Sequence, residues 1–486
     1  MHEKTIKKYI KSLLAIEKEL KAEIYLVGGF LRDYILGNVT LDIDCVVSKN
    51  AKKAAELFQK KHGGALVVLD EDEETYRIVH KTQAGDYYID FTTMHGKNLK
   101  EDAKRRDFTF NALYWKVSEE CDFQNVVDYA GGLKDLKGGI IRMMAESAFK
   151  EDSLRIIRAF RFSSQYKFKI DAGTKKVIAQ HVELLKNVSQ ERIHDEWVKI
   201  CAAGNTFKII KQMDDIGILD VIFPEITEIR KDLEYYYHKY GLWGHSLEVL
   251  YCFEFIINNL TKIFKKSRAS FFLEYVKPVN MRVCFILNCL FHDLGKPDTL
   301  KIIDEKVRFF GHEEISRQQI GFIMKRLRFS NKDKAVAQLL AKYHMYIGNM
   351  VAQAGTVTEK AYYRFFKRAG DAAKGVMLFT LADCLASIRG IQKKSFEDGI
   401  SLDECGSKNF ADYQKFIERI IDWFDKKEKI INKKPIIDGN EIMTKFGLPQ
   451  SKLIGEILNA IAEARVEGKI KTKKDAYAFV KKFLKQ

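Results

Sequence analysis

The sequence predicts an α+β protein, with a small mixed sheet and accompanying helices at the N-terminus followed by helices as far as the C-terminus. Two observations predict this class. Short apolar runs bounded by turn residues fill the first 145 residues, whereas apolar side chains recur at helical spacing from about residue 146 onward. The length of 486 residues, at roughly 100–200 residues per domain, indicates about three domains. With 46% hydrophobic residues and five prolines, the chain can bury cores of that size.

The elements of the N-terminal part follow in order. Apolar residues between positions 6 and 20 have helical spacing, so the chain opens with a helix. The apolar run 24–27 is a strand, and Gly28-Gly29 joins it to a helix that ends at Gly37. Further strands are predicted over 41–47, 65–70, 75–80 and 87–93, and Gly-Gly pairs at 131–132 and 138–139 are turn signals that close this part.

Charge and cysteine content narrow the class of protein. Lys and Arg number 82 against 66 Asp and Glu, a net charge of +16 that favours nucleic acid or nucleotide phosphates as partners, although a lysine-rich surface alone would give the same balance. Eight cysteines without a CxxC pair indicate reduced thiols and a cytoplasmic protein. The longest apolar run, 283–291, is too short to span a membrane, and the N-terminal stretch lacks the features of a secretion signal.

Two acidic residues in the N-terminal part indicate a metal site. Asp42 and Asp44 lie two positions apart on a predicted strand, so their carboxylates face the same side. Like charges at that distance repel unless a cation neutralises them, and Mg²⁺ suits one or two carboxylates together with substrate phosphates. An isolated pair would more often mark a solvent-facing strand. Here three further features favour a metal site: the Gly28-Gly29 turn, which can hold phosphate at a helix N-terminus, Arg32 one turn into that helix, and Asp90 on another strand. Two metals held by three carboxylates would activate an attacking hydroxyl and stabilise a pyrophosphate leaving group.

Motifs across roughly the first 230 residues resemble a known family. They are, in order, VGGFLRDYILG (27–37), LDIDCVV (41–47), KRRDFTFNALYW (104–115), VVDYAGGLKDLKGGIIR (126–142), EDSLRIIRAFRFSSQYKF (151–168) and ERIHDEWVK (191–199). This order is similar to that of class II tRNA nucleotidyltransferases and bacterial poly(A) polymerases, members of the polymerase-β-like superfamily. The resemblance implies a polymerase-β-like head at 1–145 and a neck of base-recognition and RNA-binding helices at 146–235.

The resemblance also implies roles for individual residues. Gly28, Gly29 and Arg32 would contact the incoming nucleotide, Asp42 and Asp44 would bind Mg²⁺ with Asp90 as the third catalytic acid, and Arg106 and Asp107 of the RRD element would belong to the nucleotide-binding set, with Arg106 on triphosphate or ribose. Asp152, Arg155, Arg158 and Arg161 recur every three residues and would share one helical face, on which the first two read the base edge. A surface helix with i,i+3 salt bridges is the alternative for that spacing.

A second set of metal ligands is predicted in the helical part. The candidates are His245, His292, Asp293, His312, His344 and Asp383. The adjacent His-Asp pair in CLFHDLGKP (289–297) resembles the HD metal-dependent phosphohydrolases, whose ligand order is His, His-Asp, Asp. That order implies a first metal on His245, His292, Asp293 and Asp383, and a second completed by His312 and His344 with Asp293 bridging. Imidazole and aspartate suit Mn²⁺, Fe²⁺, Ni²⁺ or Mg²⁺. Whether this segment, 236–425, is catalytic or only a packed helical body is left open.

The last segment, 426–486, is predicted to be a basic helical tail that binds tRNA. Residues 435–470 resemble the C-terminal segment of the same nucleotidyltransferase family, and residues 451–486 carry nine basic against four acidic side chains. Such a tail can follow an RNA backbone. A solvated lysine-rich face explains the charge equally well.

The favoured function is template-independent transfer of CMP from CTP to the 3′ end of tRNA, with release of pyrophosphate. Family members that add all of CCA have a flexible loop between the third acid and the RRD element. Here only FTTMHGKNLKEDAK (91–104) separates Asp90 from Arg105, which predicts CC addition without the terminal A. Full CCA addition, with ATP as second substrate and the acidic LDEDEET (69–75) replacing the loop, stays open. The alternatives are a poly(A) polymerase and a phosphohydrolase whose HD segment carries the main activity; the oligomeric state is also open.

Overall fold

The computed structural model describes residues 2–38, 40, 42–81, 86–118, 125–231, 241–353, 355–431 and 434–485. The chain divides into two units. The first comprises Met1–Ala203 with Gln212–Ile222, and the second comprises Gly204–Lys211 with Phe223–Gln486. The α+β class is confirmed, because the main sheet lies before residue 130 and helices make up most of the described residues after it. The domain boundaries predicted near residues 145, 235 and 425–435 stay predictions.

A seven-stranded mixed sheet forms the core of the first unit. Its strands are β1 Ile24–Val27, β2 Ile43–Val47, β3 Ala65–Asp70, β4 Thr75–His80, β5 Tyr87–Thr93, β6 Leu113–Lys116 and β7 Val126–Asp128. The order across the sheet is β3-β4-β5-β2-β1-β6-β7. Neighbouring strands are antiparallel except β2 and β5, which run parallel with Asp44 opposite Asp90. The two central strands therefore place two acidic residues side by side.

Helices and one short strand pair complete the chain as far as residue 222. The helices are α1 His2–Leu20, α2 Gly28–Ile35, α3 Ala51–His62, α4 Leu99–Lys104, α5 Gly132–Gly138, α6 Ser147–Glu151, α7 Leu154–Tyr166, α8 Ala172–His181, α9 Gln190–Ala202, α10 Thr206–Asp214 and α11 Ile218–Ile222. The strand pair is β8 Ile140–Ile141 with β9 Lys169–Ile170, in parallel. Helix α3 packs on β4 and β5 with Ala54, Ala55 and Phe58 buried.

Most predicted strands of the first unit are confirmed. Those at 24–27, 65–70, 75–80 and 87–93 have the predicted bounds. The strand predicted over 41–47 begins instead at Ile43, so Asp42 precedes it, and Leu41 lies outside the described residues. The glycine pairs at 131–132 and 138–139 lie at the two ends of α5: Gly132 and Gly138 are its first and last residues, and Gly131 and Gly139 cap it in the left-handed conformation.

Among the described residues of the second unit, the secondary-structure elements are helices, apart from one hairpin that pairs β10 Lys301–Ile303 with β11 Lys306–Arg308. The helices after residue 222 are α12 Thr227–Arg230, α13 Gly241–Ile263, α14 Lys266–Val276, α15 Val279–Phe291, α16 Lys296–Thr299, α17 His312–Arg326, α18 Asn331–Ala352, α19 Glu359–Ala369, α20 Ala373–Ile391, α21 Leu402–Cys405, α22 Lys408–Ile431, α23 Gly439–Phe446, α24 Lys452–Val466 and α25 Lys473–Phe483.

Helix α15 is enclosed by other helices of the second unit. Every residue from Val283 to Phe291 is buried, as expected for a helix that is apolar on all sides, and α13, α17, α18 and α20 pack around it. The amide of its polar Asn288 donates to the Cys284 carbonyl at 2.8 Å, while the Asn288 Oδ1 accepts no hydrogen bond from the described residues. The helix ends at Phe291, so His292 and Asp293 follow directly inside the unit. Among the described helices, none combines the length and the apolar character needed to cross a membrane.

A buried ion-pair network joins three helices of the second unit. Arg389 of α20 and Glu248 of α13 are both fully buried, and the Arg389 Nε donates to the Glu248 Oε1 at 2.6 Å. The same guanidinium donates to Glu404 of α21 at 2.7 Å and to the Ser395 carbonyl at 2.6 Å. Removing one partner from such a network leaves a charge that water cannot reach.

We expect Glu248→Ala to lower the free energy of unfolding by about 3 kcal/mol, because Arg389 would keep its buried charge with one partner fewer. Urea denaturation followed by circular dichroism measures the change. Glu359→Ala is the matched control, since its ion pair with Lys427, at 3.2 Å, is partly solvent-exposed and is expected to contribute less than about 1 kcal/mol. Equal losses in the two variants would contradict the prediction.

Candidate functional site

A cavity of 560 Å³ in the first unit brings together most of the residues predicted for nucleotide binding and catalysis. Its lining includes Gly28, Gly29, Arg32, Asp42, Asp44, Asp90, Arg106, Asp107, Arg155, Arg158 and Arg161. Asp152, the remaining residue of that predicted set, is not part of the lining. The cavity is called the head cavity below.

The three carboxylates predicted for catalysis lie at or next to the two neighbouring central strands β2 and β5. Asp44 on β2 and Asp90 on β5 are direct neighbours in parallel register, and Asp42 precedes β2. Burial, together with the nearby charge of Asp90, raises the pKa of Asp44 to about 6, and burial also raises the pKa of Asp42. A divalent cation would relieve both costs, because it neutralises like charges that lie close together. The carboxylates and their burial therefore fit Mg²⁺.

Glycine is required where α2 approaches Asp44. Gly28 has a φ of +61°, a conformation that side chains disfavour. A Cβ on Gly28 would lie 3.1 Å from the Asp44 Oδ2, and one on Gly29 would lie 3.3 Å from the same oxygen. The Phe30 backbone N–H donates to that oxygen at 3.3 Å. The turn thus brings backbone N–H groups and the N-terminus of α2 beside the carboxylates, where a phosphate can bind.

Acidic and amide partners fix two arginines at the cavity wall. Arg32 is buried and donates to Asp33 at 2.8 Å and to the Asn111 Oδ1 at 2.9 Å. Arg106 donates to the buried Asp102 at 3.1 Å. Guanidinium groups held in this way keep further N–H donors in a fixed plane, which suits phosphate oxygens.

Asp107 of the RRD element connects the head to α7. It accepts from the Arg158 Nη2 at 2.6 Å and from the Asn111 Nδ2 at 2.9 Å. Burial acts to raise the pKa of Asp107, but the Arg158 guanidinium outweighs it and lowers that pKa to about 2. Farther along α7, Arg161 forms an ion pair with Glu196 of α9 at 3.0 Å. In this structure Asp107 is an internal ion-pair partner, and its nucleotide-binding role stays a prediction.

The helical face predicted for base recognition is only partly formed. Helix α7 begins at Leu154, so Asp152 lies between α6 and α7 in extended backbone with a φ of −142°. The Asp152 Oδ1 accepts from the Leu154 N–H at 3.2 Å, which favours a break between helices there. Its Oδ2 accepts from Arg192 at 2.9 Å. The prediction that Asp152 shares a helical face with the three arginines is therefore wrong, whereas Arg155, Arg158 and Arg161 all lie on α7 and line the head cavity.

Sequence reasoning misses Arg77, which lies on β4 directly opposite Asp90. The Arg77 Nε donates to the Asp90 Oδ1 at 2.8 Å and its Nη2 donates to Oδ2 at 2.7 Å. Both strands are predictable, but the register that pairs these two residues is not readable from either strand alone. Arg77 also lines the head cavity.

The histidines and aspartates predicted as metal ligands in the second unit converge on one buried point, called the HD cluster below. Asp293 lies in the middle. Its Oδ2 is 3.2 Å from the His292 Nε2 and 3.9 Å from the His245 Nε2. Its Oδ1 is 3.4 Å from the His312 Nε2 and 3.8 Å from the His344 Nε2. The cluster therefore has two halves that share one carboxylate, the arrangement that two metal ions require.

Backbone carbonyls orient the histidines of the HD cluster. The His312 Nδ1 lies 2.7 Å from the Phe309 carbonyl, and the His344 Nδ1 lies 2.6 Å from the Ala341 carbonyl. Because carbonyls only accept, both Nδ1 atoms carry a proton, and the two Nε2 atoms lie 3.2 Å apart. Burial, with the nearby His292, lowers the pKa of His344 to about 3, so this ring stays neutral. Imidazole nitrogens oriented in this way beside a carboxylate are ligands that divalent metals use, so the residues fit a divalent metal.

A cavity of 680 Å³ reaches the HD cluster. Asp383 lines it and lies 3.0 Å from the His245 Nε2. The Lys296 ammonium, also in the lining, lies 2.6 Å from the Asp293 Oδ2. The Asp293 Oδ1 makes no hydrogen bond with any residue that the structure describes. All six predicted ligands are thus brought together, and five of them, all but His292, line a cavity large enough for a phosphate ester.

Two family models match the chain. Residues 24–142 match the Poly A polymerase head domain, and residues 167–230 match the probable RNA and SrmB-binding site of polymerase A. The first match contains every glycine and carboxylate predicted for the head cavity.

Three relatives align with much of the chain. It is 26% identical to the CC-adding tRNA nucleotidyltransferase of Thermus thermophilus over 93% of this chain and 92% of that protein. It is 28% identical to the A-adding tRNA nucleotidyltransferase of Deinococcus radiodurans over 95% of each. It is 32% identical to the CCA-adding enzyme of Ligilactobacillus salivarius over 53% of this chain and 67% of that protein. The fold is similar to that of the Thermotoga maritima CCA-adding enzyme complexed with tRNA, with a TM-score of 0.63 at 21% identity over 99% of this chain and 96% of that chain.

Proposed function

This chain belongs to the family of class II CCA-adding tRNA nucleotidyltransferases, and from that membership we propose that it adds two CMP residues to the 3′ end of tRNA and then stops. Transfer of nucleotides to tRNA is the activity of its relatives and of this chain. The number and identity of the added nucleotides are the proposal. The observation that carries the chemistry is the neighbouring pair Asp44 and Asp90 beside the Gly28-Gly29 turn.

The head cavity can supply each part of the reaction. Asp42 and Asp44 would bind Mg²⁺ with Asp90 beside them, and when bound this ion favours ionisation of the attacking hydroxyl and neutralises phosphate charge. The 3′ hydroxyl of tRNA attacks the α-phosphorus of CTP, and the bond to the β-phosphate breaks to release pyrophosphate. The Gly28-Gly29 turn offers backbone N–H groups to the phosphates. Arg32 and Arg106 add cations whose orientation is already fixed.

Base selection is proposed to lie at the start of α7. Arg155 lines the head cavity and donates to the Ala148 carbonyl at 3.1 Å, which orients its guanidinium. Asp152 lies three residues earlier and can accept from an exocyclic amino group when it is released from Arg192. A carboxylate and a guanidinium side by side offer the acceptor and donors that match the edge of cytosine.

A short and firmly held connection supports CC addition. Only residues 94–98 separate β5 from α4. The His95 N–H donates to Asp102 at 3.1 Å, and the Lys97 N–H donates to Glu101 at 2.8 Å. The His95 ring lies 2.6 Å from Glu73 on the acidic hairpin turn, which is thereby tied to the same connection. We expect a pocket bounded by this connection at His95 not to reshape for a larger base and so to stay complementary to C, and the same rigidity counts against a poly(A) polymerase.

Contacts with tRNA are proposed along the neck, 146–235, and the basic tail, 426–486, on either side of the HD segment, 236–425. The matched polymerase A RNA-binding segment, 167–230, lies within the proposed neck. In the tail, Lys-bearing helices α24 and α25 pack around an apolar core that includes Ile457, Ile461 and Val480, which leaves lysines outward. Phosphate contacts of this kind weaken with salt. A cytoplasmic location also stays a prediction.

Asp44→Ala is expected to reduce the kcat of CMP transfer by at least about a thousandfold, because the charge that positions the metal and triphosphate is lost. Pyrophosphate release from CTP with tRNA lacking its 3′ end measures this. Asp86→Ala, which removes an exposed acid just before β5, is the matched control and should retain activity. Near-normal transfer by Asp44→Ala would refute the catalytic assignment.

Asp152→Ala is expected to relax discrimination among the four nucleotides more than it weakens triphosphate binding. Single-turnover rates with CTP, ATP, UTP and GTP would show the ratio. Arg192→Ala is the matched control, because it breaks the same ion pair but keeps the carboxylate. If both variants lose discrimination equally, the ion pair rather than the Asp152 carboxylate is responsible, and if UTP and GTP stay excluded from Asp152→Ala, specificity lies elsewhere.

A tRNA that lacks its 3′ end is expected to gain two CMP residues, and a tRNA that already ends in CC is expected to accept no AMP. The reason is the fixed wall at residues 94–98. A sequencing gel of products with each nucleotide supplied separately resolves the lengths. Efficient addition of A to the CC end would contradict the proposal, and a ladder of A residues would indicate a poly(A) polymerase.

The geometry of the HD cluster favours a second activity, which we propose to be hydrolysis of phosphoesters such as 2′,3′-cyclic phosphate at RNA ends. The supporting observation is that four imidazoles converge on Asp293, with the Asp383 carboxylate beside His245 and with the Nε2 atoms of His312 and His344 at 3.4 and 3.8 Å from the Asp293 Oδ1. Mn²⁺, Fe²⁺, Ni²⁺ and Mg²⁺ all match this set of ligands.

His292→Ala is expected to remove bound transition metal and hydrolysis together, while nucleotide transfer persists. Metal content by mass spectrometry, hydrolysis of 2′,3′-cyclic AMP with added Mn²⁺ or Ni²⁺, and transfer to tRNA provide the three measurements. His181→Ala is the control, since this histidine lies in the first unit beside Glu146. Wild-type protein with neither metal nor hydrolysis would reduce the cluster to a packed helical body.

A further inference from the structure

Arg77 is a cation of the head cavity to which the transfer chemistry gives no role. It holds both oxygens of Asp90, through Nε at 2.8 Å and Nη2 at 2.7 Å. A bidentate pair between arginine and carboxylate is among the strongest charge-assisted hydrogen bonds in proteins. The neighbouring Asp44 is placed differently, because its Oδ2 accepts a backbone N–H from Phe30 at the longer distance of 3.3 Å.

This contact makes the three carboxylates unequal toward a metal ion. A cation that binds Asp90 must share or replace the charge of Arg77, since two cations on the same carboxylate repel at short range. Asp90 is also the only member of the three whose two oxygens both accept from a guanidinium among the described residues. A metal ion bound by Asp42 and Asp44 therefore lies beside a third carboxylate, Asp90, whose charge is already balanced by Arg77.

Arg77 also has a second surface on which its side chain can rest. Its guanidinium lies 4.7 Å from the centre of the Tyr88 ring, and its side chain is 34% exposed. A guanidinium over an aromatic face keeps favourable interactions without a carboxylate partner. Release from Asp90 would thus leave Arg77 in contact with Tyr88 and with solvent.

We propose that Arg77 is a positioning residue that holds Asp90 as an internal counter-ion and yields it to the divalent metal, so that Arg77 sets the metal concentration at which the head cavity is loaded. The proposal rests on the proposed role of Asp90 as the third acid beside Asp42 and Asp44.

Mn²⁺ binding to the full-length protein tests it, with free Mn²⁺ measured by electron paramagnetic resonance. The share of binding that Asp44→Ala removes belongs to the head cavity. In Arg77→Met the head cavity is expected to bind Mn²⁺ about tenfold more tightly than in wild type, because one charge-assisted ion pair no longer competes with the metal. Arg77→Lys, with a single point charge, should lie between the two. Arg105→Met is the matched control, because it removes a cation of the same cavity whose partner is Glu73, at 3.0 Å.

Tighter binding in Arg77→Met with little change in Arg105→Met supports the proposal. Unchanged or weaker binding in Arg77→Met, or an equal gain in both variants, overturns it while the metal site itself stands. If Asp44→Ala removes no Mn²⁺, the metal assignment of the head fails and the proposal falls with it. Circular dichroism checks folding, and if Arg77→Met does not fold, an Arg77→Lys affinity equal to that of wild type overturns the proposal.

Discussion

The cost of burying Asp44 next to Asp90 determines the arrangement of the head cavity. Parallel pairing of β2 with β5 at the centre of the sheet puts the two carboxylates side by side, and partial burial with the charge of Asp90 raises the pKa of Asp44 to about 6. Repulsion of this kind has to be balanced by cations, and the protein provides Arg77 on the adjacent strand. The close approach of α2 leaves no room for a side chain at Gly28. With two carboxylates side by side, this part of the sheet serves mainly to bind positive charge and only to a lesser extent to pack as an apolar core.

The HD cluster meets the same problem with a different chemistry. Its central carboxylate, Asp293, is surrounded mainly by imidazoles, and burial lowers the pKa of one of them, His344, to about 3 and keeps that ring neutral. Fewer negative charges are crowded together than in the head cavity, so less counter-charge from the protein is needed, and Lys296 is the cation in contact with Asp293. Neutral nitrogen ligands also favour transition metals over Mg²⁺, whereas the oxygen ligands of the head favour Mg²⁺.

Most helices and strands, and most residues of both sites, could be predicted from the sequence. Which strands and side chains pair with each other could not. The strands β1, β3, β4 and β5 follow from apolar runs, but helix α3 buries three alanines and one phenylalanine, a pattern too weak to stand out. Asp152 has the spacing of a helical face and yet precedes α7, because its own side chain accepts from Leu154 and favours a break there. The ion pair between Arg77 and Asp90 could not be predicted, because it depends on the register between β4 and β5, and the sequence of either strand alone does not determine that register.

The buried helix α15 ends at the HD cluster with its C-terminus. A helix carries about half a negative charge at its C-terminus, from the carbonyls that no later turn can satisfy. His292 caps that end of α15, and its Nδ1 lies 3.2 Å from the Asn288 carbonyl. Because the helix is enclosed by apolar packing, solvent screens this macrodipole less than on a surface helix. The backbone of a largely apolar helix thereby contributes an electrostatic field that attracts cations, and it does so without a single additional acidic side chain.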